Sequence, residues 1–280
     1  MRILVTGANG QLGIDAVRIF KELGHEVFGY GRESLDITNE NQCREKILEH
    51  KPDVVVHCAA YTAVDMAETD VESAYLVNAA GTRNMAVQAE NIGAKFVYIS
   101  TDYVFDGNSE LPYKEYDFTD PSTIYGKSKL AGEQLVQSLS SRYFIVRTSW
   151  VYGKHGSNFV GTMLKIGKSK SEITVVNDQK GSPTYTVDLV FFLEKLIETE
   201  KYGIYHASNS GECTWYEFAK TIFEYQGIDV NVIPCTTDQF PRPARRPKNS
   251  VLNNMQLRIN GFKELRSWRE ALSDYLGIDY

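Results

Sequence analysis

Met1-Arg2-Ile3-Leu4-Val5-Thr6-Gly7-Ala8-Asn9-Gly10-Gln11-Leu12-Gly13 opens the chain. An apolar run of strand length stops at Gly7, a G-x-x-G-x-x-G loop follows, and an amphipathic stretch over 11–23 continues from it. A strand that turns through glycines into a helix lets the backbone approach a pyrophosphate and offers it unpaired helical N–H groups. The run therefore predicts a nucleotide site at Gly7, Gly10 and Gly13, with a plain tight turn as the alternative.

Outward from this loop, short apolar runs alternate with longer amphipathic ones, the pattern of parallel strands joined by crossover helices. Strands are predicted over 3–6, 26–30, 54–57, 96–100 and 144–147, and helices over 11–23, 39–49, 71–91 and 123–139. This is a doubly wound α/β sheet, whose ligands sit at the carboxyl ends of the strands. Residues 1–150 form the expected nucleotide-binding domain, with 184–208 returning to it through a strand at 204–206. Residues 151–183 and 209–280 are expected to build a smaller substrate-binding cap, with helices over 158–166 and 215–225, a strand at 173–176 and short terminal helices, while a helix over 187–200 falls in the returning segment.

The 280 residues are 42% apolar and 24% charged, with 30 Lys+Arg against 36 Asp+Glu and a net charge of −6. That composition excludes a disordered or fibrous chain and supports a sizeable core. A net acidic chain lacks the summed basic field that holds nucleic acid or anionic membrane, so neither is an expected partner. The beginning of the chain has no secretory pattern, and no window is apolar enough for a membrane span. Cys43, Cys58, Cys213 and Cys235 are widely spaced, and the five histidines show no ligand spacing. Reduced thiols, a cytoplasmic setting and no metal site are the expectation, with His57 completing a buried strand.

An acidic side chain at the tip of the second strand would accept hydrogen bonds from an adenosine ribose and repel a 2′-phosphate. Here the tip reads Tyr30-Gly31-Arg32. Arg32 suits a phosphate, which favours NADPH with NADH as the alternative, although Glu33 beside it weakens the effect.

Tyr125 and Lys129 stand four apart at the start of a predicted helix and project from one face. Tyr216 and Lys220 share that spacing, so position has to choose. Tyr125 follows the fourth strand, whose tip carries Ser100-Thr101-Asp102 at the ligand-binding edge, whereas Tyr216 lies in the expected cap. A neighbouring ammonium would bring a tyrosine toward the working pH range, and the Thr101 hydroxyl would orient a substrate carbonyl.

Taken together, T-G-A-N-G-Q-L-G (6–13), C-A-A-Y-T (58–62), S-T-D-Y-V-F (100–105), Y-G-K-S-K (125–129), R-T-S-W-V-Y-G (147–153), N-D-Q-K-G-S-P-T (177–184) and A-R-R-P-K-N-S (244–250) cover essentially the whole chain. In these motifs it resembles the extended short-chain dehydrogenase/reductase family, and within it the reductases of dTDP-bound 4-keto-6-deoxysugars. The resemblance implies a Rossmann-type fold and NADPH-dependent reduction of the 4-keto group of dTDP-6-deoxy-L-lyxo-4-hexulose. It also implies that Gly10, Gln11 and Leu12 touch the cofactor phosphates, that Asp36 and Ile37 lie near its adenosine, and that Ala60, Tyr61 and Thr62 line it. Tyr125 and Lys129 do the acid work, Thr101, Asp102 and Tyr103 meet the nucleotide sugar, and Trp150 is a substrate-contacting aromatic. A homodimer is the expected assembly.

Many members carry an acid where this chain has Tyr30. Related dehydratases follow their Thr-Asp with a glutamate base; here Tyr103 follows, which disfavours dehydration. A 4-epimerase, another 4-ketoreductase and a non-catalytic regulatory subunit like that of methionine adenosyltransferase remain alternatives. Pro241-Arg242-Pro243-Ala244-Arg245-Arg246-Pro247-Lys248 gathers four positive charges on a proline-stiffened stretch, and Arg246 is the favoured contact to the substrate diphosphate. The plainer readings are a solvated loop here, core packing for Trp150, and a turn pair for Thr101 and Asp102.

Overall fold

The computed structural model describes residues 1–278. Its first half runs β1 (Arg2–Thr6), α1 (Gln11–Glu22), β2 (Glu26–Tyr30), α2 (Glu40–His50), β3 (Val54–His57), α3 (Val64–Ala67), α4 (Val71–Tyr75), a π-helical turn (Leu76–Gly81), α5 (Thr82–Asn91), β4 (Lys95–Thr101), α6 (Ile124–Leu139) and β5 (Tyr143–Thr148). The second half continues with β6 (Val151–Tyr152), α7 (Phe159–Gly167), β7 (Glu172–Val176), β8 (Lys180–Gly181), β9 (Thr184–Tyr185), α8 (Thr186–Ile197), β10 (Gly203–His206), β11 (Cys213–Thr214), α9 (Trp215–Tyr225), β12 (Asn231–Cys235), α10 (Met255–Ile259) and α11 (Trp268–Leu276).

Six parallel strands form the central sheet in the order β10-β5-β4-β3-β1-β2. Successive side chains of a strand point to opposite faces. Ile3, Val5, Val54, Val56, Val97, Phe144 and Val146 accordingly enter a core with α1 and α8, while Leu4, Val55, Phe96, Tyr98 and Ile145 enter another with α2, α5 and α6. Burial on both faces is why these strands read as unbroken apolar runs. His57, 1% exposed, ends β3 between the Thr6 and Thr82 hydroxyls, and burial pushes its imidazole down to about 3, so it is neutral.

A separate core joins α7, α9, α11 and β7 around Phe218, Ile222 and Trp268. Residues 209–280 do not all belong to it, contrary to expectation, since Leu257 and Leu265 pack into the sheet core beside α1 and α8. β12 was not legible because Pro234 interrupts it; among the described residues it pairs only with β7, where a proline without an N–H is tolerated. The helix predicted over 71–91 is broken by the π-helical turn, which turns the fully buried Asn78 toward the loop after β3.

Candidate active site

A cleft of about 1540 Å³ opens at the carboxyl ends of the sheet strands, and every residue singled out above as catalytic, cofactor-binding or substrate-binding lines it. At the β1–α1 turn, Gly7 has φ +65°, and a Cβ there would sit 2.7 Å from the Ala59 backbone nitrogen. A Cβ on Gly13 would lie 2.1 Å from the Gly7 carbonyl oxygen, so the loop closes this tightly only with glycine. Gly10 caps α1 without a side-chain hydrogen bond, leaving the first N–H groups of the helix for a ligand. This cradle fits a dinucleotide pyrophosphate. Gln11 departs in part from expectation. Its side chain donates to the Val151 carbonyl (3.1 Å) and accepts from Gly153 N (3.1 Å) and Asn158 Nδ2 (2.7 Å), which leaves its backbone for a phosphate.

Arg32, at the β2 tip, is exposed and makes no ion pair among the described residues, so its guanidinium is free to meet a phosphate. The Asp36 carboxylate accepts from the Thr38 N–H and hydroxyl, fixing the turn that carries Ile37. Across the cleft, Asn78 accepts from Tyr61 N (2.8 Å) and donates to the Tyr61 carbonyl (3.1 Å), which clamps the Ala60–Thr62 backbone. Asn78 also donates to Ser128, beside Lys129. Sequence reading missed it; the available signal is an amide in an otherwise apolar helical face.

Thr101 ends β4 and lies in register with Thr148 of β5. Its hydroxyl donates to Asp102 Oδ1 (2.9 Å) and accepts from Tyr103 N (3.2 Å), so the turn-pair reading and the cleft-lining reading both hold. Asp102 Oδ2 and Thr148 Oγ1 are buried without a hydrogen bond, and both residues line the cleft. Burial pushes the Asp102 carboxyl up to about 6.

Thr123 caps α6 by accepting from Gly126 N (3.0 Å), placing Tyr125 in the first turn and Lys129 one turn on. Lys129 is 2% exposed; its ammonium donates to the Ile99 carbonyl (2.7 Å) and lies 4.0 Å from the centre of the Tyr98 ring. Burial brings Lys129 down to about 7, against the opposing pull of Glu133. The expectation that Lys129 lowers Tyr125 is corrected. Burial pushes the phenol up to about 12, opposed by the Thr101 hydroxyl and aided by Asp102, so Tyr125 is a protonated donor at neutral pH.

Trp150 takes φ +47°, a conformation that a bulky residue adopts only when its surroundings impose it. One face stacks on Trp215 (centroids 3.5 Å apart, planes at 7°), and a Cβ on Gly181 would lie 2.3 Å from Trp150 Cε2, so the indole is also closely packed there. Trp150 lines the cleft with one face already covered by Trp215. Trp215 lines the same cleft and was not identified from sequence. Of the four cations in the Pro/Arg stretch, Arg242 and Arg246 reach the cleft, and Arg246 pairs with Asp65 at 2.8 Å. Arg245 instead donates to Asn108.

Fold and cleft together define a nucleotide-binding oxidoreductase of the short-chain dehydrogenase/reductase type. The chain belongs to the family described as the RmlD substrate binding domain, whose model matches residues 1–279. It is 46% identical to the spore coat polysaccharide biosynthesis protein SpsK of Bacillus subtilis, over 98% of this chain and 96% of the relative. It is 42% identical to a dTDP-4-dehydrorhamnose reductase of Streptomyces griseus, over 98% and 92% of the two chains. A crystal structure of dTDP-4-dehydrorhamnose reductase from Bacillus anthracis in complex with NADP superposes with a TM-score of 0.97 at 49% identity, covering 98% of each chain.

Proposed function

We propose that this protein reduces dTDP-4-dehydrorhamnose to dTDP-L-rhamnose with NADPH. The observation that carries the reading is the convergence of Thr101, Tyr125 and Lys129 at the β4 tip, in one cleft with the glycine cradle. The names of the relatives supply the substrate. The glycine cradle at the start of α1 would hold the pyrophosphate of NADPH and Arg32 its 2′-phosphate, and the bound cofactor would supply the hydride. The Thr101 hydroxyl, turned from Asp102, donates to and orients the C4 carbonyl, and Tyr125 donates the proton that the new C4 oxygen requires. Lys129 holds the cofactor ribose and keeps positive charge beside the phenol. Arg246, turned from Asp65, and Arg242 take the diphosphate, while Asp102 and Thr148 take sugar hydroxyls.

All four cysteines are free, as suits a reducing compartment, which supports a cytoplasmic setting. No helix among the described residues is long and apolar enough to cross a membrane. Exposed Met66, Val71, Tyr75 and Leu76 lie close together in sequence and support a homodimer, which the mass in solution reads directly.

The test is NADPH absorbance with enzymatically generated dTDP-4-keto-6-deoxyglucose and a 3,5-epimerase, with no-epimerase and NADH arms. Oxidation that depends on the epimerase is expected; oxidation without it would assign another 4-ketoreductase, and none at all would reject the reading. In the same assay Arg32→Glu should raise the Kd for NADPH at least about tenfold and change that for NADH much less, because it places a carboxylate where the 2′-phosphate sits. Equal changes for both cofactors would remove Arg32 from the site.

A further inference from the structure

Glu133 and Arg147 form an ion pair that the reaction proposed above does not use. Arg147 Nη2 lies 2.7 Å from Glu133 Oε2 and Nε lies 2.9 Å from Oε1, a two-pronged contact with side chains 3% and 0% exposed. Ser100 adds a third donor to Glu133 Oε1 at 2.5 Å. Withdrawing two charges from water costs several kcal/mol each, and apolar side chains of similar size commonly serve stability as well or better. Stability alone is thus a poor reason for this pair.

Its location offers another. Tyr125, Lys129 and Glu133 stand four apart on α6 and share one face. Ser100 precedes Thr101 on β4 and is in register with Arg147 on β5. The carboxylate therefore joins the helix that carries Tyr125 and Lys129 to the strand that carries Thr101. It also sits one helical turn from an ammonium that borders the cleft and is otherwise faced by His57 and Cys58 from the end of β3 and by the Tyr98 ring and Ile99 carbonyl of β4, with Tyr125 one turn before it on its own helix. His57 is neutral and Cys58 is held as a thiol by burial, so Glu133 is the anion of this set. Arg147 in turn stacks over Phe105 and donates to the Glu115 carbonyl, so its charge is satisfied away from Lys129.

We propose that Glu133, held by Arg147 and Ser100, is a positioning residue that fixes α6 against β4 and keeps the Lys129 ammonium charged at the buried wall of the cleft. The inference rests on the proposed reaction for its use but not for its test. Glu133→Gln alone leaves the Arg147 charge buried and unpaired, so Glu133→Gln is combined with Arg147→Met. The Lys129 Nζ is followed by nitrogen NMR across pH in lysine-labelled protein with NADP bound, its signal assigned through Lys129→Met. The expected result is a folded double variant whose Lys129 titration midpoint falls by at least about one pH unit relative to the unsubstituted chain. The alkaline limb of kcat should move down with it, with kcat at pH 8 lowered about tenfold and KM changed by less than about threefold. A folded variant with an unmoved midpoint, or one that does not fold, overturns the proposal. An unsubstituted chain that fails to oxidise NADPH rejects the reaction instead, and the midpoint still decides the role of Glu133.

Discussion

Tyr125→Phe should lower kcat by about 10²–10⁴ while leaving the Kd for NADPH within about twofold. The phenol faces the tip of β4 and is held protonated at neutral pH: burial raises it to about 12, so it reaches the substrate carrying its proton. The ring meets the edge of Tyr103 with centroids 5.6 Å apart, and phenylalanine preserves that contact. Fold and cofactor site should survive the change, and the loss should fall on turnover. Stopped-flow oxidation of NADPH under single-turnover conditions reads it directly. Turnover within about threefold of the unsubstituted chain would mean that water or another group supplies the proton.

Gly13→Ala should raise the Kd for NADPH at least about tenfold and lower Tm by several degrees. Helix propensity predicts the opposite, since alanine within a helix is better than glycine by about 1 kcal/mol. The close approach decides. A Cβ would meet the Gly7 carbonyl at 2.1 Å and Ala8 Cα at 2.8 Å, both in the backbone of the phosphate cradle, so relief requires moving the cradle itself. Fluorescence titration and a thermal melt check the two effects. A higher Tm with unchanged affinity would show that the turn has slack and that the glycine is not required there.

What could be read from the sequence divides along physical lines. The glycine loop, the five strands before residue 150 and the helix over 215–225 depend on local signals. Those signals are glycine where φ is positive, apolar runs where both faces are buried, and for α9 a capping box between Thr214 and Glu217. Placement of Tyr125 over Tyr216 followed from strand order alone. The destinations of long side chains were not readable. Gln11 reaches across the cleft to 151–158, Arg246 pairs with an aspartate 181 positions away, and Trp215 covers a face of Trp150. The direction of the Tyr125 shift was missed for a related reason. Spacing shows that Lys129 is near, whereas its commitment to the Ile99 carbonyl and the depth of burial around both groups emerge only when β4 and α6 are packed.

The most direct test of the central claim is the fate of the hydride. Turnover of the epimerised dTDP-4-keto-6-deoxysugar with NADPH deuterated at C4 of the nicotinamide, on each face in turn, is followed by NMR of the isolated nucleotide sugar. The account predicts one deuterium at C4 of dTDP-L-rhamnose from one labelled face and none from the other. Deuterium elsewhere, a product of different configuration at C4, or unlabelled product from both faces would contradict it.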